Sequence, residues 1–239
     1  MWRRFLRNRR ALIGGVIVLG LYLVALLAPL LAPHDPNQQI LLDRLKGPSA
    51  EHLFGTDSLG RDILSRAIYG ARVSLAVSLV ATLITIVIGA LVGLVSGYVG
   101  GWLDNLMMRV TDVFLAFPIF ILLITVVAIY GSSMFLLILF LGLAAWPSTA
   151  RLVRAEVLSL AEREFVLAAR VGGAHNLRIM LVHLLPNLVP ILVVAATLRV
   201  GIVILVEAGL SYFGLGVSPP TPTWGNMVAD GRIYLDSAW

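Results

Sequence analysis

Long apolar runs alternate with shorter polar stretches along the chain, and five of the runs, 11–33, 74–98, 110–130, 133–150 and 187–210, extend 18 or more residues with almost no charge. A helix rising 1.5 Å per residue needs about 20 residues to cross a bilayer core, and inside lipid its backbone groups can only be satisfied internally. The pattern therefore predicts an all-α polytopic membrane protein with five transmembrane helices. The polar stretch 34–72 has five basic and five acidic residues. Its Pro36, Pro48 and the run Gly55-Thr56-Asp57-Ser58-Leu59-Gly60-Arg61-Asp62 read as a loop with turns, ending in a short helix over 63–71.

Charge sets the orientation. Arg3, Arg4, Arg7, Arg9 and Arg10 precede the first span and hold the N-terminus in the cytoplasm. The apolar run is longer than the h-region of a secretory signal, so it reads as a retained anchor. Alternating the spans places 99–109 and 151–186 inside, and 34–72, 131–132 and 211–239 outside. Eleven basic residues then lie inside and six outside. Five spans leave the C-terminus outside, and the final Leu235-Asp236-Ser237-Ala238-Trp239 reads as the approach to a sixth helix.

Composition narrows the chemistry. Charged residues make up 13% of the 239 positions and apolar ones 59%, against about 25% charged in a soluble globule. The absence of cysteine removes disulfides, thiolate metal sites and cysteine nucleophiles. The net charge of +5 comes mostly from arginines beside apolar spans, where lipid and topology account for them; no basic stripe interleaved with aromatics suggests nucleic acid. Lys46, the only lysine, precedes Gly47 rather than following a glycine, so no P-loop is present. His34 and His52, and His175 and His183, have no zinc-type spacing and read as polar surface residues; no metal is expected. Gly209-Leu210-Ser211-Tyr212-Phe213 resembles a nucleophile turn but has Phe213 where the second glycine belongs, so no catalytic residue is assigned.

Gly89, Gly93, Gly97 and Gly101 recur every four residues, a small-residue stripe for close helix packing. Arg199 and Glu207 lie inside the fifth run, about 80° and 12 Å apart on a helix. A charge in hydrocarbon must face protein or water, so each is a candidate for a translocation path or for an interhelical hydrogen bond.

The segment 151–186 carries the most information. Glu156, Glu162 and Glu164 precede Phe165-Val166-Leu167-Ala168-Ala169, followed by Arg170, Gly172-Gly173, Arg178 and Leu184-Leu185-Pro186-Asn187. The order predicts helix, glycine break, helix, and a proline at the start of the fifth span. A short helix with an apolar face and flanking arginines can lie on a membrane or insert into a partner's groove.

In this segment the chain resembles the inner-membrane permease subunits of ATP-binding-cassette importers, the peptide-permease C type of the dipeptide, oligopeptide and nickel group. The family signature is Glu-Ala-Ala, three residues, Gly, nine residues, then Ile-x-Leu-Pro. Ala168, Ala169, Gly173, Leu185 and Pro186 occupy matching positions, with Leu167 in place of the glutamate and His183 in place of the isoleucine. Ala-Pro-His-Asp-Pro at 32–36, Gly55 to Asp62, Tyr98-Val99-Gly100-Gly101, Glu207-Ala208-Gly209-Leu210-Ser211 and Pro219 to Gly225 look like the same subgroup.

The resemblance implies a permease subunit in a bacterial or archaeal cytoplasmic membrane, importing peptides or a similar small solute. Its partners would be a second homologous permease, two ATPase subunits that bind ATP and Mg, an extracytoplasmic substrate-binding protein, and lipid. This chain would bind no cofactor. Residues 1–50 would hold the tail, first helix and start of the exterior loop, and 51–239 the importer transmembrane domain, truncated at its C-terminus. The coupling helix would involve Ala168, Ala169, Gly173, Leu185 and Pro186, with Phe165 and Arg170 from the same helix. A stand-alone secondary transporter and a non-transporting scaffold are the alternatives; the first would need internal repeats and coupling-ion residues at mid-membrane.

Overall fold

The computed structural model describes residues 9–236. Arg3, Arg4 and Arg7 of the basic flank, and Ser237, Ala238 and Trp239, lie outside the described residues. Among those described, the protein is helical, and an isolated bridge between Thr56 and Asp62 takes the place of a sheet. Helix α1 spans Arg9–Leu26, followed by a helical turn, Ala28–Leu31. Then come α2, Ile63–Val99; α3, Gly101–Ala116; α4, Ile119–Tyr130; α5, Met134–Ala161; and α6, Glu164–Val171. Helix α7, Leu185–Tyr212, follows a short helical turn and a π-helical stretch, Ile179–Leu184, and α8 covers Trp224–Gly231.

Among the described residues, four helices are long and apolar enough to cross a membrane, or five if the bent pair α3 and α4 counts as one. The expected spans need three corrections. The short helix over 63–71 and the span from 74 are one 37-residue helix, α2. Arg72 is exposed and does not interrupt it, because a polar side chain ends no helix unless it competes for backbone hydrogen bonds. The expected straight run 110–130 instead bends by 75°. Pro118 drives Phe117 into extended backbone, φ −90° and ψ 126°, and ends α3 there.

The third correction concerns the start of the fifth span. Pro186 lies near the start of α7, as expected, but the backbone is already helical through the π turns before it, so the long helix begins at Asn176 rather than at 187. The wider π turns relieve the ring clash that proline causes in a regular helix. Helix α5 also runs to Ala161, past the expected end at 150, so the true connection between the flanking helices is short.

The chain divides into two compact units. The first holds the described residues of 9–77, 132–134 and 204–236, so residues on both sides of position 50 fall in it. Ala25, Ala71 and Leu75 form its apolar centre with Tyr22, Ile204 and Trp224. The Trp224 indole N–H donates to the Ala67 carbonyl at 3.1 Å, and the Thr223 hydroxyl caps α8 by accepting from the Asn226 N–H at 3.1 Å.

The second unit holds 78–131 and 135–203. Three of the four stripe glycines work as close-packing positions there. A Cβ on Gly89 would sit 2.5 Å from Thr149 Cβ, on Gly93 2.5 Å from the Ala150 carbonyl oxygen, and on Gly97 2.9 Å from Val157 Cβ. Helices α2 and α5 therefore meet backbone to backbone. Gly101 is not on the stripe: it begins α3 beyond the end of α2, at φ +60°, with nothing near its Cβ position.

Candidate functional site

Helix α6 is pinned from below and open above. Val166 is fully buried in a cluster with Leu94, Val153, Val157, Leu160, Ile179, Leu184 and Leu188. Ala169 and Leu185 pack against the same cluster, so these two candidates hold the helix in place rather than face outward. At 100° per residue, the side opposite Val166 and Ala169 is formed by Leu167, Ala168 and Val171, all exposed, with Val171 at 90%. Phe165 is 39% exposed on one flank and Arg170 exposed on the other. Pro186 is exposed and sits on α7.

Both ends of α6 are fixed by the sequence. Glu164 places a carboxylate in the first turn, where the helix dipole favours it. At the other end the Ala174 N–H donates to the Ala169 carbonyl at 3.0 Å and the Gly173 N–H to the Arg170 carbonyl at 3.1 Å. This is a Schellman stop with Gly173 at φ +78°, a left-handed position that glycine adopts without strain. The Arg170 guanidinium lies 5.7 Å from the centre of the Tyr98 ring, and the Tyr98 hydroxyl donates to Asn176 Oδ1 at 3.1 Å. An arginine in the last turn thus meets both the helix dipole and an aromatic face.

The two intramembrane charges have separate partners. Arg199 donates to the Ser148 hydroxyl at 2.6 Å in the second unit. Glu207, 1% exposed in the first unit, accepts from Ser74 at 3.2 Å and from Ser211 at 2.9 Å. Its carboxylate forms the interhelical hydrogen bond that the sequence left open. The Ser211 hydroxyl is the second donor to that carboxylate.

The histidines bring the largest surprise. His52 is 4% exposed, not a surface residue, and its ring lies 4.8 Å from that of His34. Both face Asp62. Burial pushes the Asp62 carboxyl up, but hydrogen bonds from the Ser65 hydroxyl and N–H and from His52, with His34 nearby, outweigh it and hold the group below its ordinary value. Residues 18 apart in an irregular loop carry no periodic signal, so the pairing was invisible in the sequence. The same loop hides a second buried group, in which Arg61 Nε donates to Asp57 Oδ2 at 2.6 Å and Arg66 Nε lies 3.5 Å from it. Arg61 and Arg66 line a cavity of about 680 Å³ with Tyr212, Asn226 and Asp230.

Comparison with known proteins accounts for this architecture. Residues 86–235 match the family described as binding-protein-dependent transport system inner membrane component, and residues 1–48 match the N-terminal TM domain of oligopeptide transport permease C. The chain is 42% identical over 237 residues to the dipeptide transport system permease protein DppC of Alkalihalophilus pseudofirmus, covering 99% of this chain and 78% of the relative. It is 46% identical over 235 residues to the glutathione transport system permease protein GsiD of Salmonella paratyphi A, covering 98% of this chain and 78% of the relative. Among solved structures, an inward-facing MetNI methionine ABC transporter superposes with a TM-score of 0.57 at 25% identity, covering 70% of this chain and 79% of that one. The chain therefore belongs to the inner-membrane components of binding-protein-dependent transport systems, a permease of the ABC importer class that works with an ATPase and a substrate-binding protein and is not itself an enzyme.

Proposed function

We propose that this chain forms one half of the translocation path of an ATP-driven importer of short peptides, with α6 as its coupling helix. The observation that carries the reading is the exposed apolar face of Leu167, Ala168 and Val171 on a helix whose other side is buried at Val166. The long helices α5 and α7 flank it in the chain, and its ends are stopped by Gly173 and the short link from Ala161. A load applied to this face is carried into the two long helices by the buried cluster, because close-packed side chains transmit displacement rather than absorb it.

In this reading the N-terminus is cytoplasmic, the bent pair α3 and α4 makes the third of five spans, and α6 seats in a cleft of a separate ATPase subunit. ATP and Mg are held by two such subunits, not by this chain. A second homologous permease completes the path, and an extracytoplasmic binding protein delivers the cargo. The names of the dipeptide and glutathione relatives support a short peptide as that cargo. Arg199, a cation within a span, is the candidate for contact with a peptide carboxylate.

The test is recovery of the ATPase with the tagged chain from solubilised membranes. Leu167→Asp and Val171→Asp change exposed positions, so the chain keeps its unfolding temperature while ATPase recovery falls at least about tenfold, as for loss of an interface anchor. Undiminished recovery with both variants overturns the coupling role of this face.

A further inference from the structure

We propose that His34, His52 and Asp62 form a binding site for a divalent transition-metal ion of the zinc class, which ties the segment after the first span to the start of α2. One ligand atom from each residue lies within 4.8 Å of the others. Asp62 Oδ1 is 2.9 Å from His52 Nδ1 and 3.8 Å from His34 Nδ1. Zinc bonds of 2.0–2.1 Å in a tetrahedron put neighbouring ligand atoms about 3.3 Å apart, between those two separations. The two imidazole nitrogens, within 4.8 Å of each other, close toward the same spacing when an ion binds between them.

The surroundings are built for ligation. Asp62 Oδ2 is fully engaged, accepting from the Ser65 N–H at 2.8 Å and the Ser65 hydroxyl at 2.7 Å, which leaves Oδ1 as the atom facing both rings. Ser65 Oγ also accepts the His34 backbone N–H at 3.0 Å, so one hydroxyl ties the His34 backbone to the Asp62 carboxylate. His34 Nδ1 is buried without a hydrogen-bond partner, although its acceptor or donor capacity is aimed at Asp62. On the far side of the His52 ring, Nε2 is likewise buried without a partner, and Asp43 Oδ2 stands 3.9 Å away.

That arrangement matches the usual support of a metal-bound imidazole, in which the nitrogen not bound to metal donates to a carboxylate. With Nδ1 turned to an ion, the His52 Nε2 side would face the Asp43 carboxylate. Lys46, paired with Asp43, balances that second carboxylate. Two imidazoles and one carboxylate select zinc-class ions over magnesium or calcium, which prefer all-oxygen shells. The His34 side chain is 32% exposed, leaving water a path to the fourth position.

The full chain, purified in detergent and stripped with a chelator, is titrated with Zn²⁺ against a chromophoric chelator, and with Co²⁺ to read the visible bands of a tetrahedral site. One Zn²⁺ per chain is expected, with a rise in unfolding temperature. His34→Ala, His52→Ala and Asp62→Asn abolish binding, whereas His175→Ala and His183→Ala leave it intact. Should the ligand variants fail to fold, Asp43→Asn is read instead, with affinity about 10- to 100-fold weaker as for loss of a supporting carboxylate. A native chain that binds no Zn²⁺ in the micromolar range overturns the site, as does stoichiometric binding that survives removal of both His34 and His52.

Discussion

The Ser74 hydroxyl donates to Glu207 across 133 positions of sequence at 3.2 Å, and the same oxygen accepts the Trp224 backbone N–H at 3.2 Å. One buried serine thus links α2, α7 and the first turn of α8. Ser211 supplies the second donor to Glu207, and Gly225 lets the start of α8 approach so closely that a Cβ there would lie 2.6 Å from Ser211 Cβ.

Glu207→Ala leaves the Ser74 and Ser211 hydroxyls without their acceptor in a dry environment. The expected loss is on the order of 1–3 kcal/mol of stability per orphaned group. Glu207→Gln keeps an acceptor and is expected to lose less. Thermal unfolding of the detergent-purified chain measures both. If Glu207→Ala melts with the native chain yet transport collapses, the carboxylate serves the path rather than the packing.

The glycine stripe gives a contrast between two chemically identical changes. Gly93→Ala drives a methyl to 2.5 Å from the Ala150 carbonyl oxygen, a backbone atom that cannot swing away. Helices α2 and α5 must separate, at a cost of about 1–3 kcal/mol, the usual penalty for overpacking. Gly201→Ala on α7 meets nothing within 4 Å and gains up to about 1 kcal/mol from helix propensity. Unfolding temperatures that move in the same direction for both variants contradict this account.

Gly173 tests the stop of α6 without touching its outer face. At φ +78° an alanine is strained by about 1–2 kcal/mol, while asparagine tolerates the left-handed region better. Hydrogen exchange over 164–174 is expected to accelerate in Gly173→Ala and to change little in Gly173→Asn. Equal exchange in the two variants shows that the Schellman bonds from Ala174 and Gly173 do not hold the end of the helix.

That the chain is helical with four or five apolar stretches long enough to cross a membrane was legible in the sequence, because length and lack of charge alone define such stretches. Their internal breaks were not. Pro118 ends a helix, whereas Pro147 and Pro190 lie within α5 and α7, and in uniformly apolar sequence no periodicity distinguishes these cases. The short helix after Arg163 and its stop at Gly173 were readable from local chemistry, an acidic first turn and a paired glycine. Which of its residues face outward was not, since Ala168 and Ala169 are identical in type and only the neighbouring cluster assigns one outward and the other inward. The histidine and arginine groups of the 34–66 segment escaped detection because their members meet through loop geometry.

Asp104 and Arg154 form the most directional ion pair of the second unit, with Arg154 Nε on Oδ1 and NH2 on Oδ2, both at 2.6 Å. The Ser96 hydroxyl donates to the same carboxylate, so α2, α3 and α5 converge on one side chain. The close approach permitted at Gly93 and Gly97 brings α5 near enough for this to happen, since both glycines face the Arg154 backbone. Such a pair differs from an ordinary surface bridge because the planar guanidinium is held by two parallel bonds. Arg154→Lys keeps the charge and loses the fork. A double-mutant cycle of Arg154→Gln with Asp104→Asn is expected to give a coupling of about 1–2 kcal/mol, above the exposed-pair range because the carboxylate side chain is only 14% exposed. Arg154→Lys is expected to lose about half of it. Coupling near zero reduces the pair to a solvent-screened contact and leaves the glycine contacts alone to fix α5 against α2.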